Sequence, residues 1–258
     1  GIMAIANYMK RKGIPWFPLA SSGEHLTAAN PAHFTQNSGW NQYGSYLAPY
    51  AYNKLGARTA VIIVSDYAFG HIEGKIIRKS FEKVGGKVLK YISLPLPEPD
   101  YRPYLMGMPK ADVAFVFTTG FPAVRFVKQY VELGLQKKTP VFGLGSALDT
   151  LYRSQMGKES VGMRYILHWD PNLDNPENKA FVRDLRAKYP ELKAMGYYDM
   201  SGFLSIRIIE EALKTIGGDV ENSARFAKAI SAVDFPAPVG PFRFDPKLRG
   251  PVLNFYVF

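Results

Sequence analysis

The stretch 58–89, RTAVIIVSDYAFGHIEGKIIRKSFEKVGGKVL, leaves few folds open, because it reads as strand, loop, helix and next strand without interruption. Residues 60–64 are a continuous apolar run rich in β-branched side chains, the pattern of a strand buried on both faces of a parallel sheet. The helix that follows keeps Ile72, Ile76, Ile77, Phe81 and Val84 on one face and stops at Gly85-Gly86. In an open α/β sheet the crevice beyond the carboxyl ends of the strands receives ligands, and Asp66, Tyr67 and Phe69 occupy that position here.

The same grammar continues downstream. Residues 88–94 read as a strand, Pro95, Pro97 and Pro99 as a connection that is neither helix nor interior strand, and 101–108 as a short helix. A doubly buried strand is expected over 112–118, then the loop Thr119-Gly120-Phe121-Pro122 and a helix with Val124, Val127 and Val131 on one face. Residues 140–142 resume the sheet, and 143–146 read as another loop at a strand's carboxyl end. Strand and helix alternating at this spacing imply right-handed crossovers and a parallel sheet, hence an α/β fold. From residue 161 the texture changes: a strand over 163–167, helices over 175–189, 198–216 and 223–233, and closing strands over 242–244 and 252–257.

The opening residues carry an apolar helical face (Ile2, Ile5, Ala6, Met9) that ends at Lys10, Arg11, Lys12 and Gly13 but has no capping residue at its start. The chain is therefore expected to begin inside a larger domain. Residues 14–19 read as a short strand with Ala20-Ser21-Ser22-Gly23 as its loop, and by composition alone that loop is an ordinary turn. Residues 24–39 read as irregular, and 39–55 as a helix rich in aromatic residues packed on a sheet.

At 258 residues and 47% hydrophobic the chain buries a large core, and no apolar run approaches the length of a membrane span. Absence of cysteine removes disulfides, thiol nucleophiles and thiolate metal sites, and fits cytosol and periplasm equally. The net charge of +10 is spread over helix faces without a dense basic block or a nucleic-acid-binding signature, so a solvated basic surface is expected and no nucleic-acid partner. His25 and His33 are too isolated for a metal site. No phosphate-binding, dinucleotide, nucleophile-elbow or zinc-protease motif occurs, and Gly143-Leu144-Gly145 is a lone G-x-G. His168 and Asp170 lie close without a nucleophile beside them, so a surface or interface role is expected. Such a scaffold binds without catalysing, with neither cofactor nor metal.

With these residues in view, the chain resembles the type I periplasmic solute-binding proteins of ABC transporters, in particular the leucine/isoleucine/valine-binding family. The likeness rests on Gly13-Ile14-Pro15 through Ala20-Ser21-Ser22 and Leu26-Thr27, Asp66-Tyr67-Ala68-Phe69-Gly70, Gly85-Gly86-Lys87-Val88, Asp100-Tyr101, Glu132-Leu133-Gly134-Leu135, Gly196-Tyr197-Tyr198-Asp199 and Gly240-Pro241-Phe242-Arg243-Phe244-Asp245. It implies two Rossmann-like lobes of parallel sheet joined by three crossovers and closing on a ligand by hinge motion. Residues 1–38 and 171–246 would be an incomplete lobe one, and 39–170 with 247–258 lobe two. The family's first strands, a ligand-holding serine loop and the signal peptide would lie outside this chain.

Carried over by position, the resemblance implies that Ala20, Ser21 and Ser22 hold the ligand carboxylate. Phe69 stands where the family has a pocket tyrosine, and Thr119 lies at or beside another pocket aromatic. Gly145 stands where amino-acid binders carry the acid that pairs the α-ammonium, and a buried ammonium without an anionic partner is costly. Unless Asp149 or Asp66 substitutes, the implied ligand is a small carboxylate with an apolar body, an aromatic acid, with Trp169, Tyr198 and Phe69 packing on its ring. A branched-chain amino acid is the alternative. The implied setting is periplasmic, with an ABC transporter permease as partner and the protein a monomer. Readings of another class, a Rossmann-like enzyme or a ligand-sensing effector domain, need a catalytic group or an attached signalling segment.

Overall fold

The computed structural model, which describes residues 2–19, 24–30, 32–37, 40–246 and 250–258, opens on helix α1 (Ile2–Lys12), where Lys10, Arg11 and Lys12 in the last turn complement the helix dipole. Helices α2 (Glu24–Ala29) and α3 (Trp40–Lys54) follow. The alternating segment comprises β1 (Thr59–Ser65), α4 (Ala68–Lys83), β2 (Lys87–Leu94), the one-turn α5 (Arg102–Leu105), β3 (Val113–Phe117), α6 (Phe121–Glu132), α7 (Leu135–Lys138) and β4 (Val141–Leu144). Next come α8 (Gly145–Leu148), α9 (Thr150–Met156) and β5 (Arg164–Leu167). Helices α10 (Pro176–Lys188), α11 (Tyr197–Ile216) and α12 (Ser223–Ser231) precede strands β6 (Asp234–Ala237), β7 (Gly240–Phe244), β8 (Pro251–Val252) and β9 (Tyr256–Val257).

The chain forms two compact units and passes between them three times: Gly1–Trp40 with His168–Asn254 make the first, Asn41–Leu167 with Phe255–Phe258 the second. The second unit holds a sheet of order β2-β1-β3-β4-β5-β9, with β9 antiparallel to β5 and every other pair parallel. Apolar side chains on both faces of β1 and β3 make this possible. On one face Ala60, Ile62, Val64, Phe115 and Phe117 pack against Leu47, Ala48 and Ala51 of α3 and Ile77 and Phe81 of α4. On the other, Val61, Ile63, Ala114 and Val116 are equally buried, and burial of each valine or isoleucine side chain contributes about 1.5–3 kcal/mol.

In the first unit β6, β7 and β8 form an antiparallel sheet. Its core joins Phe34, Trp169, Phe181, Met200, Leu204, Ile208 and Phe242. The buried residues of α11, among them Met200, Leu204, Ile208 and Ala212, repeat at helical spacing.

Several sequence-based expectations change. Residues 14–19 make no strand but a single bridge, Trp16 with His33, because Pro15 and Pro18 withhold ladder donors. Residues 24–39 are not wholly irregular: α2 forms there, with Leu26 fully buried. The expected loop 143–146 does not exist, since β4 runs directly into α8. Strand β6 was unexpected because of Pro236, which is tolerated where the strand lies at the edge of its sheet. Residues 168–170 and 247–254, assigned to the second lobe from sequence, fall within the bounds of the first unit. Trp169 is anchored in that unit's core, and β8 pairs with β7.

Candidate functional site

Parallel strands end together, and in the second unit their register aligns the residues at the carboxyl edge. Val64 pairs with Phe117, Val116 with Gly143, Leu144 with Ile166, and Ser65 with Leu94. One residue further along each ladder, Ser65, Thr118, Gly145 and Leu167 stand in one row, on one face of the sheet. A Cβ built on Gly145 would lie 2.4 Å from Leu167 Cδ1 and 2.7 Å from its Cβ and Cγ. The room for a side chain at position 145 is thus already filled by Leu167. Ser65 Oγ and Thr118 Oγ1 are buried beside it without a hydrogen-bond partner.

The turn from β1 into α4 is tight. A Cβ on Gly70 would meet Ser65 O at 2.1 Å, so only glycine fits where the helix crosses the strand end. Asp66 and Tyr67 close the turn through backbone bonds, Asp66 N donating to Leu94 O at 2.8 Å and Tyr67 N to Ser65 O at 2.9 Å. The Asp66 carboxylate is exposed and lies 2.7 Å from His71 Nε2, a bond that holds its pKa below the usual carboxylate value. His71 Nδ1 is 3.3 Å from the Tyr91 hydroxyl. Phe69 is half-buried, edge-on to Phe117 with centroids 4.9 Å apart. Thr119, also half-buried, lies two residues past the end of β3. Asp149 is buried and caps α9, its Oδ1 accepting from Leu151 N at 2.8 Å.

In the first unit the outcome differs by residue. Trp169, expected to pack on a ligand ring, is fully buried; its Nε1 donates to Asn178 Oδ1 at 2.7 Å and its ring meets Phe181 edge-on. It is a core residue, not a surface for a solute. Tyr198 is 41% exposed and packs on Tyr197 with centroids 4.1 Å apart, so its ring is available. Ala20, Ser21 and Ser22 lie outside the described residues. His168 and Asp170, expected to have a surface or interface role, are buried, which excludes the surface; burial pushes the His168 imidazole down to about 4, and Asp170 Oδ1 accepts from Asn172 N and Nδ2. A cavity of about 710 Å³ lined by Phe181, Leu185, Phe203, Ile206 and Phe235 opens between α10, α11 and β6 and contains none of the residues expected from sequence to hold a ligand.

The row Ser65, Thr118, Leu167 escaped the sequence reading, because nothing in the sequence relates residues so far apart until the ladders bring them side by side. Within the second unit Thr119 and Gly145 lie just past the ends of β3 and β4, Phe69 packs on Phe117 on the face covered by α3 and α4, and His71 holds Asp66 at the turn from β1 into α4.

The model of the family described as Periplasmic binding protein matches residues 2–258. In sequence, the chain is similar to a Leu/Ile/Val-binding protein homolog 6 of Brucella melitensis, 22% identical across 99% of this chain and 66% of that relative. The chain thus spans just under two thirds of that protein's length. In structure it is similar to an ABC transporter substrate-binding protein from Sphaerobacter thermophilus, with a TM-score of 0.92, 31% identity, and coverage of 98% of this chain and 71% of the other. It is also similar to a solute-binding protein of an R. palustris ABC transporter in complex with benzoate, with a TM-score of 0.89, 28% identity, and coverage of 99% and 70%.

Proposed function

This chain belongs to the periplasmic binding protein family, and on that premise we propose that it is part of an extracytoplasmic solute-binding component of an ABC importer that captures an aromatic acid. The observation that carries the reading is at Gly145. Leu167 occupies the space an acidic side chain at position 145 would need, so this position cannot supply the anion that an α-ammonium would require. The nearby carboxylates are committed elsewhere, Asp66 to His71 and Asp149 to the start of α9. Phe69 on Phe117 supplies the flat apolar contact that an aromatic ring favours. The similarity to a protein that binds benzoate supports the same ligand class. Ala20, Ser21, Ser22, Thr119 and Tyr198 remain ligand contacts by resemblance, and Trp169 is withdrawn from that set. The proposed role is capture for a membrane permease, without chemical turnover.

The test is thermal unfolding of the protein with benzoate, 4-hydroxybenzoate, leucine or isoleucine. A ligand bound only by the folded state stabilises by RT ln(1 + [L]/Kd), about 4 kcal/mol at a thousandfold excess over Kd, which moves the midpoint by several degrees. The aromatic acids should raise the midpoint and the amino acids leave it unchanged. A rise with leucine or isoleucine alone would replace this reading with branched-chain amino acid binding.

A further inference from the structure

We propose that the outer face of α4, together with the adjoining edge strand β2, docks onto anionic phospholipid headgroups and holds the protein at a membrane surface. Between residues 68 and 94 the chain carries six cations, Lys75, Arg78, Lys79, Lys83, Lys87 and Lys90, against two acids, Glu73 and Glu82. Glu73 is fully buried, so within this segment Glu82 offsets them at the surface, and the exposed Asp66 just before it is engaged by His71 of α4. Lys75, Arg78, Lys79, Lys83 and Lys87 are exposed, while Lys90 is half-buried and reaches Gly107 O at 3.4 Å.

The two elements form one surface. Helix α4 turns Gly70, Gly74, Ile77 and Phe81 inward, which leaves the lysines on its solvent side. Strand β2 is the terminal strand of the sheet. Tyr91 of β2 lies under α4, its hydroxyl 2.5 Å from where a Cβ on Gly74 would be, and the Arg78 guanidinium sits 5.7 Å from its ring centroid.

None of the six cations forms an ion pair among the described residues. On α11 the situation is reversed, with Arg207 and Lys214 each bonded to both Glu210 and Glu211. The cations of α4 and β2 repel one another in the isolated protein, and an anionic surface laid against them would relieve that repulsion. A protein partner would favour aromatic or arginine anchors set in pockets and few lysines. This face has five lysines to one arginine and only the scattered exposed apolar residues Ile72 and Leu89. A lipid surface demands charge rather than shape, which is what lysines on a helix flank provide. The proposal is independent of which solute the protein binds.

The test is flotation of the protein with vesicles of phosphatidylcholine alone or mixed with phosphatidylglycerol. Each lysine near an anionic surface is worth roughly fivefold in binding, so the mixed vesicles should bind at least tenfold more protein. Binding should collapse towards ~1 M salt, where the screening length is about 3 Å. The variant Lys75→Gln/Lys79→Gln/Lys83→Gln/Lys87→Gln should lose more than tenfold. A variant of equal net charge, Lys137→Gln/Lys138→Gln/Lys188→Gln/Lys193→Gln, should bind like the parent. Equal losses in the two variants, no preference for anionic vesicles, or binding to polyglutamate but not to vesicles would each overturn the proposal.

Discussion

Position 145 carries no side chain and Leu167 fills the space beside it, an arrangement testable by adding one carbon. Gly145→Ala places a methyl group where Leu167 already lies, and overpacking of this kind costs about 1–3 kcal/mol. Urea unfolding should show that loss, and Gly145→Ala combined with Leu167→Ala should recover part of it; a Gly145→Ala variant as stable as its parent would mean that Leu167 yields freely. The sequence showed a glycine at this position. It could not show that the vacancy is filled, because Leu167 is brought there by the pairing of β4 with β5. Trp169 misled for the same reason. An indole between His168 and Asp170 looks available until Asn178 of α10 accepts a hydrogen bond from its Nε1 and Phe181 covers its ring.

Among the elements, α4 shows how a legible helix still hides its chemistry. Its apolar period was readable, yet Glu73 falls on the buried face with Gly70, Gly74 and Ile77. Burial raises the Glu73 carboxyl to about 8, only partly offset by the backbone of Gly44, and neither oxygen reaches standard hydrogen-bond geometry. Between about 4.5, the ordinary value, and 8 the folded protein holds a proton that the unfolded chain releases. Stability from this group is therefore full below the lower value and is lost as pH rises towards the upper one. Glu73→Gln should remove that dependence, so its advantage over the parent in urea unfolding should grow from pH 5 to pH 8; a difference independent of pH would mean the carboxyl is not held neutral. Strands β1 and β3 were legible because both of their faces are apolar. Strand β6 and helix α8 were not, because an edge position excuses a proline and a helix can begin directly at a strand's end.

For the whole molecule, the two units answer pH in opposite senses. His168 in the first unit is held near 4 by burial, below its ordinary 6.5, so its contribution is present above that ordinary value and is lost as pH falls from 6.5 towards 4. Glu73 weakens the second unit in the other direction. Trp16 and Trp169 lie in the first unit, while Trp40 opens the helix that packs on the second unit's sheet, so in a Trp40→Phe variant tryptophan fluorescence follows the first unit by itself. Its unfolding midpoint should fall on acidification below pH 6.5, and a midpoint that stays level down to pH 4.5 would contradict a buried neutral imidazole. The sequence by itself determined the α/β class, the alternation of strand and helix and the family, because these depend on local periodicity and short motifs. Only the tertiary structure decided which strand ends share a row, which polar groups are buried and which lysines lack a partner. Each of those depends on residues far apart in the chain, and on desolvation that exists only once the sheet and its helices have closed over them.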